Sequence, residues 1–152
     1  MASCSRTSKD QIYDEVRKKW VAKTPEEEVR QSLLRKMIHE LLYPKGLLFV
    51  EKTLSDLLPQ ILLPYRRVDV VCFWKTKGML RPLLAIECKE DQSLLEEALL
   101  QVQGYNHFLK ARFVAVVAPG QERFGVYGQG GMHFLPYLPN YADLVRWMQH
   151  AL

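Results

Sequence analysis

The chain has 152 residues, of which 48% are hydrophobic and 25% charged, with a net charge of +4. That length suits one domain with a real core and leaves little room for a second, and no apolar run approaches the roughly 20 residues of a membrane helix. Cys4, Cys72 and Cys88 are odd in number and form no CxxC pair, which excludes a disulfide framework and a zinc site of that kind. The mild positive charge permits a polyanionic partner. No apolar signal core occurs in MASCSRTSKD, so a cytoplasmic protein without membrane attachment is expected.

Residues 1–10 read as a flexible N-terminal tail, and residues 11–152 as one domain. QIYDEVRKKWVAKT, 11–24, reads equally as strand or helix. TPEEEVRQSLLRKMIHELLYPKG reads as a helix. Thr24 is its N-cap, Pro25 stands at the first helical position, and Glu27 completes a capping box. Val29, Leu33, Met37 and Leu41 recur at helical spacing, and Pro44 and Gly46 end the helix. LLFVEKTL, 47–54, is a strand, and a second runs over about 67–74. KTKGMLRP, 75–82, reads as a turn or loop, and LLAIECK, 83–89, as the third strand. Ser93 and Glu96 form a second capping box for a helix over about 94–110, with Leu95, Leu99, Val102, Tyr105 and Leu109 along one side. RFVAVVAPG is a buried strand, RFGVYGQGGMHFLP a hairpin, and NYADLVRWMQHAL a closing helix capped by Asn140. The order predicts an α/β domain with a mixed sheet. The apolar segment Leu57, Leu58, Ile61, Leu62 and Leu63 is either core packing or a docking surface.

Strand alternation puts Leu83, Ala85, Glu87 and Lys89 on one face, and Asp69, Val71 and Phe73 on one face of the strand before. A hairpin centred near Gly78 sets Asp69 opposite Glu87, with Cβ atoms roughly 5 Å apart. Two such carboxylates repel, so either one takes a proton or a hard cation such as Mg²⁺ neutralises both. Lys89 then faces the same side, placed to stabilise charge on a phosphate. A salt-bridged strand rim has the same spacing. Gln101 and Tyr105 share a helix face. Arg30, Arg35, Lys36, Arg66 and Arg67 are either phosphate contacts or solvated surface.

Asp69 followed by Glu87-Cys-Lys89 resembles the bipartite PD-(D/E)xK nuclease motif, although Pro64 is not adjacent to the Asp. Gln101-x-x-x-Tyr105 resembles the QxxxY extension found in part of that superfamily. With TPEEEVRQ, RRVDVV, PLLAIECK and QVQGYN, the set is similar to the N-terminal nuclease domain of type I restriction enzyme R subunits over residues 11–140. The resemblance implies a restriction-endonuclease-like αβββαβ core with helices flanking a mixed central sheet, followed here by a C-terminal hairpin and helix. It implies Asp69 and Glu87 as ligands of Mg²⁺, for which Mn²⁺ may substitute, and Lys89 as the catalytic lysine. Gln101 and Tyr105 would lie beside the site, touching the substrate backbone or supporting Lys89. Glu27 would be its first-helix acid, with Glu26 and Glu28 as alternatives. A Mg²⁺-dependent nuclease acting on DNA is expected, with motor or specificity subunits or a second copy as candidate partners. These residues contain no GxxxxGK[ST] loop, so ATP-driven translocation is not expected of them.

Overall fold

A computed structural model of the protein describes residues 9–58 and 67–150. Most of the tail expected over 1–10, with Cys4, lies outside these residues, as do Ile61, Leu62, Leu63 and Arg66. Residues 11–24 form an antiparallel ribbon of β1 (Gln11–Asp14) and β2 (Lys19–Ala22), with Tyr13 opposite Trp20. Helix α1 (Pro25–His39) starts where its capping chemistry predicts. The Thr24 hydroxyl oxygen accepts the Glu27 N–H at 3.1 Å, and Pro25 loses no bond by lacking an N–H. Only half of the capping box forms. The Thr24 N–H donates to the Ala22 carbonyl, and the Glu27 carboxylate turns to Arg17, Arg30 and Gln31. The helix ends before Pro44, because Leu42 takes a left-handed φ of 58° and the Tyr43 N–H returns to the Met37 carbonyl.

The remaining elements are β3 (Leu48–Thr53), a single turn α2 (Leu54–Leu57), β4 (Arg67–Thr76), β5 (Met79–Cys88), α3 (Leu95–Leu109), β6 (Phe113–Ala118), β7 (Gln121–Gly128), β8 (Gly131–Leu135) and α4 (Tyr141–His150). Strands β3 to β8 form one sheet in sequence order. Only the β5–β6 pair is parallel, and α3 supplies its crossover. The run α1, β3, β4, β5, α3, β6 is the expected αβββαβ core, and the hairpin and closing helix follow it.

Two local readings give way. The loop expected over 75–82 shrinks to Lys77 and Gly78, whose φ values of 51° and 74° suit a two-residue hairpin turn, and both strands extend to it. Pro82 is tolerated beside the register shift at Cys72/Phe73, where the ladder is already interrupted. Ser93 does not cap α3. The Asp91 side chain takes the Ser93 N–H at 2.8 Å, a 3₁₀ turn follows, and Glu96 pairs with Arg123. Asn140 does cap α4, accepting the Asp143 N–H at 2.8 Å.

The sheet buries both faces. Leu34, Met37, Val70, Leu84, Ile86, Phe113 and Leu144 pack on the α1 and α4 side. Val71, Phe73, Ala85, Leu95, Val102, Val114 and Val116 pack under α3. Burial on both sides explains why the β6 sequence is continuously apolar. Cys72 and Cys88 are buried free thiols, and Leu57 and Leu58 rest on the α3-side cluster. No described helix is long and apolar enough to cross a membrane.

Candidate active site

The β4–β5 hairpin turns between residues 77 and 78, so Phe73 faces Pro82 and the simple register fails near the turn. The shift at Cys72/Phe73 corrects it. The ladder ends at Val70 facing Ile86, and one residue beyond it the Asp69 and Glu87 carboxyls are neighbours. On the other side, Val50 faces Val70 and Lys52 faces Val68, which brackets Glu51 against Asp69. Glu51, Asp69 and Glu87 therefore form a row across three adjacent strands. Glu51 is the member the sequence reading missed, and its only signal was a charge inside an apolar strand. Its φ of 55° is left-handed, a strained state for a residue with a Cβ.

Asp69 and Glu87 are 5% and 9% exposed. Buried charges at this depth require partners. The Cys88 N–H donates to Asp69 Oδ2 at 2.7 Å, and Arg30 Nη2 donates to Asp69 Oδ1 at 2.9 Å. The expected grouping of Asp69 with Val71 and Phe73 is broken locally. Val68 joins Val71 and Phe73 under α3, so the alternation slips at Asp69, which meets Arg30 of α1.

Arg30 also pairs with Glu27 and with Glu51, the latter at 2.7 Å, and reaches Glu26 at 3.4 Å. Burial disfavours its charge, but the carboxylates of Asp69, Glu51 and Glu27 outweigh burial and hold the guanidinium firmly protonated. Arg30 is therefore not the solvated surface residue that is the alternative to a phosphate contact: it is 4% exposed and lies inside the acid cluster.

Glu87 Oε2 accepts the Tyr105 hydroxyl at 3.0 Å. Burial, then the neighbouring Asp69 charge, pushes the Glu87 carboxyl up to about 8, while Tyr105 and Lys89 pull the other way. Lys89 follows β5 directly, with its N–H on the Val117 carbonyl at 2.8 Å. Glu87, Tyr105, Gln101 and Arg67 line one cleft of about 530 Å³. Arg67 is exposed at its rim, 3.7 Å from Glu51. Glu28 is exposed and pairs with Lys23, whereas burial and Asp69 raise the Glu26 carboxyl. Arg35 is exposed, and Lys36 binds Glu122 at 2.7 Å.

A helix acid, an Asp on β4, a Glu–x–Lys at the end of the neighbouring β5 and a Tyr from the crossover helix thus meet at one end of the sheet. The family model described as type I restriction enzyme R protein N terminus (HSDR_N) matches residues 25–139. The chain belongs to this family. No curated protein matches it.

The family match begins at α1, yet the β1–β2 ribbon before it is tied to the R-protein site. Asp14 is fully buried, accepting the Val16 and Arg17 N–H groups and the Arg17 and Gln31 side chains at 2.6–2.8 Å. Burial alone would raise its carboxyl; the bonds from Arg17 and Gln31 outweigh burial and hold it low. Arg17 and Gln31 both reach on to Glu27. Asp14 and Arg17 were missed because their segment has no period; the signal was an Asp-x-x-Arg turn.

Asp69 and Glu87 are adjacent hard-oxygen donors whose mutual repulsion a divalent cation would relieve. Among the described residues no cluster of three or more His, Cys, Asp or Glu is arranged to hold an ion. Two carboxylates completed by water is a donor set that suits Mg²⁺.

Proposed function

We propose that the domain is a Mg²⁺-dependent nuclease that hydrolyses DNA phosphodiester bonds. The observation that carries this reading is the buried Asp69–Glu87 pair, with Lys89 two residues beyond Glu87 and with Glu87 itself lining the cleft shared by Arg67 and Gln101. Asp69 and Glu87 would hold the metal, with Mn²⁺ as a substitute. Bound there, it would polarise the phosphoryl oxygen and lower the pKa of its water.

The chain's own residues do the rest. The Cys88 N–H and Arg30 fix Asp69, and the Tyr105 hydroxyl fixes Glu87. Lys89 offers an ammonium to the charge that develops on the phosphate. Arg67 and Gln101 take the strand's phosphates at the rim. Glu27 acts as a positioning residue, holding Arg30 and receiving Arg17. Water adds across the P–O bond, leaving one phosphate-bearing and one hydroxyl-bearing end. We place this activity in the cytoplasm, with motor or specificity subunits, or a second copy, as partners. Linear single- and double-stranded DNA, incubated with Mg²⁺ or with EDTA, tests the reading: metal-dependent shortening supports it.

One observation favours a second reading, a non-catalytic nucleic-acid-binding or assembly module. Arg30 already neutralises Asp69 from within the fold. Titration calorimetry separates the two. Heat from Mn²⁺ binding that disappears in Asp69→Asn supports the nuclease, and a flat titration supports the module.

A further inference from the structure

At the end of the sheet opposite the acid row, two clefts of about 740 and 460 Å³ share His107, Lys110 and Arg112. Arg81 joins them from β5, and Phe108 and Tyr127 present partly exposed rings. Among the described residues no Asp or Glu lines either cleft. Nor does Arg81, Lys110 or Arg112 make a salt bridge with a described residue, although Lys36, Arg67, Arg123 and Arg146 each find a carboxylate. A protein with 17 acidic residues has left this groove without one.

We infer that this groove is a second binding site, for the phosphodiester backbone of duplex DNA. Cations without a carboxylate partner among the described residues, interleaved with exposed rings, are the elements that hold a nucleic-acid backbone. The placement relative to the acid row supports the choice. Leu100, Gly104 and Phe108 lie four apart on α3 and share a face. The first two line the acid cleft and the third lines the groove, so one helix face joins them. From Arg81 to Glu87 is six residues of strand, about 20 Å. Along the duplex axis the phosphates of each strand recur about every 3.4 Å, so a duplex lying along this path from Glu87 reaches the groove about six base pairs away. The inference rests on DNA being the substrate, but not on its being cut.

The test is binding of a short labelled duplex in EDTA, by fluorescence anisotropy across a salt series. It compares wild type, the triple variant Arg81→Gln/Lys110→Gln/Arg112→Gln, and a charge-matched control, Lys19→Gln/Lys45→Gln/Arg146→Gln. All six positions are exposed, so folding is preserved. The groove variant is expected to bind at least roughly tenfold more weakly, with a log–log salt slope shallower by about 3. The control keeps the wild-type slope. Equal binding by wild type and groove variant overturns the inference, as does an equal loss in the control. Tighter binding of a labelled polyglutamate than of the duplex also overturns it, by reassigning the groove to an acidic protein. A wild type that binds through the groove without cutting removes the hydrolytic reading alone. One that cuts, with binding unchanged in the groove variant, removes the groove alone.

Discussion

The β4–β5 hairpin carries charge at both ends and treats it in opposite ways. At the turn end, Lys75, Lys77 and Arg81 are exposed and bound to no described carboxylate. At the other end, Asp69 and Glu87 are buried, and every oxygen with a named role has a partner from another element: Cys88, Arg30 or Tyr105. Exposed charges cost the fold little and do little for it. Buried ones are expensive, and well-packed apolar side chains would often serve stability as well or better. The acid end is therefore costly to the fold, which is arranged to tolerate it. Arg30 from α1, a strained Glu51 on β3 and the Asp14–Arg17 clasp before α1 all serve that end.

Arg30→Met has the largest expected effect. It leaves Asp69, Glu27 and Glu51 without their shared cation, and the expected loss is about 3–5 kcal/mol of folding stability by urea denaturation. A loss near zero would mean that the acids are solvated and need no counter-charge.

Glu87 gives the next effect, read through pH in metal-free buffer. The folded carboxyl keeps its proton up to about 8, against 4.5 for the free side chain. The folded state thus holds the extra proton across this window, and stability falls as pH rises through it. That contribution is complete below 4.5 and gone above about 8. The urea midpoint of wild type should decline over this range, and Glu87→Gln should flatten the decline. An equal slope in both proteins would assign it to other groups.

Glu51 sharpens the comparison, because two replacements remove the same carboxylate from Arg30 but differ in backbone. Glu51→Gly relieves the left-handed φ of 55° and should be more stable than Glu51→Ala by about 1 kcal/mol. Equal stabilities would remove the claim of local strain. The smallest effect belongs to the turn end. Arg81→Gln should shift stability by no more than about 0.5 kcal/mol, and a larger loss would mean that this end is integrated after all.

Element order was legible because it rests on local chemistry: Thr24 and Asn140 as caps, the 3.6-residue stripe of α3, and the doubly buried apolar run of β6. Asp69 and Glu87 came together as expected, but through a register shift that compensates for a turn one step from where a simple hairpin would put it. Composition cannot announce such a shift. The left-handed Glu51 and the clasp of Asp14 and Arg17 were illegible for a related reason. Each depends on a partner far along the chain, and neither leaves a period behind. Arg30 shows the limit most clearly. Its spacing on α1 put it on the helix, but whether it faced water or the acids was a matter of packing that only the assembled sheet decides.

The most direct test of the central claim is cleavage of supercoiled plasmid in Mg²⁺, with wild type beside Glu87→Ala and Lys89→Ala, each shown by circular dichroism to be folded. The predicted result is metal-dependent nicking or linearisation by wild type that both variants lose. Cutting that persists in either variant, or a folded wild type that cuts nothing in Mg²⁺ or Mn²⁺, would contradict it.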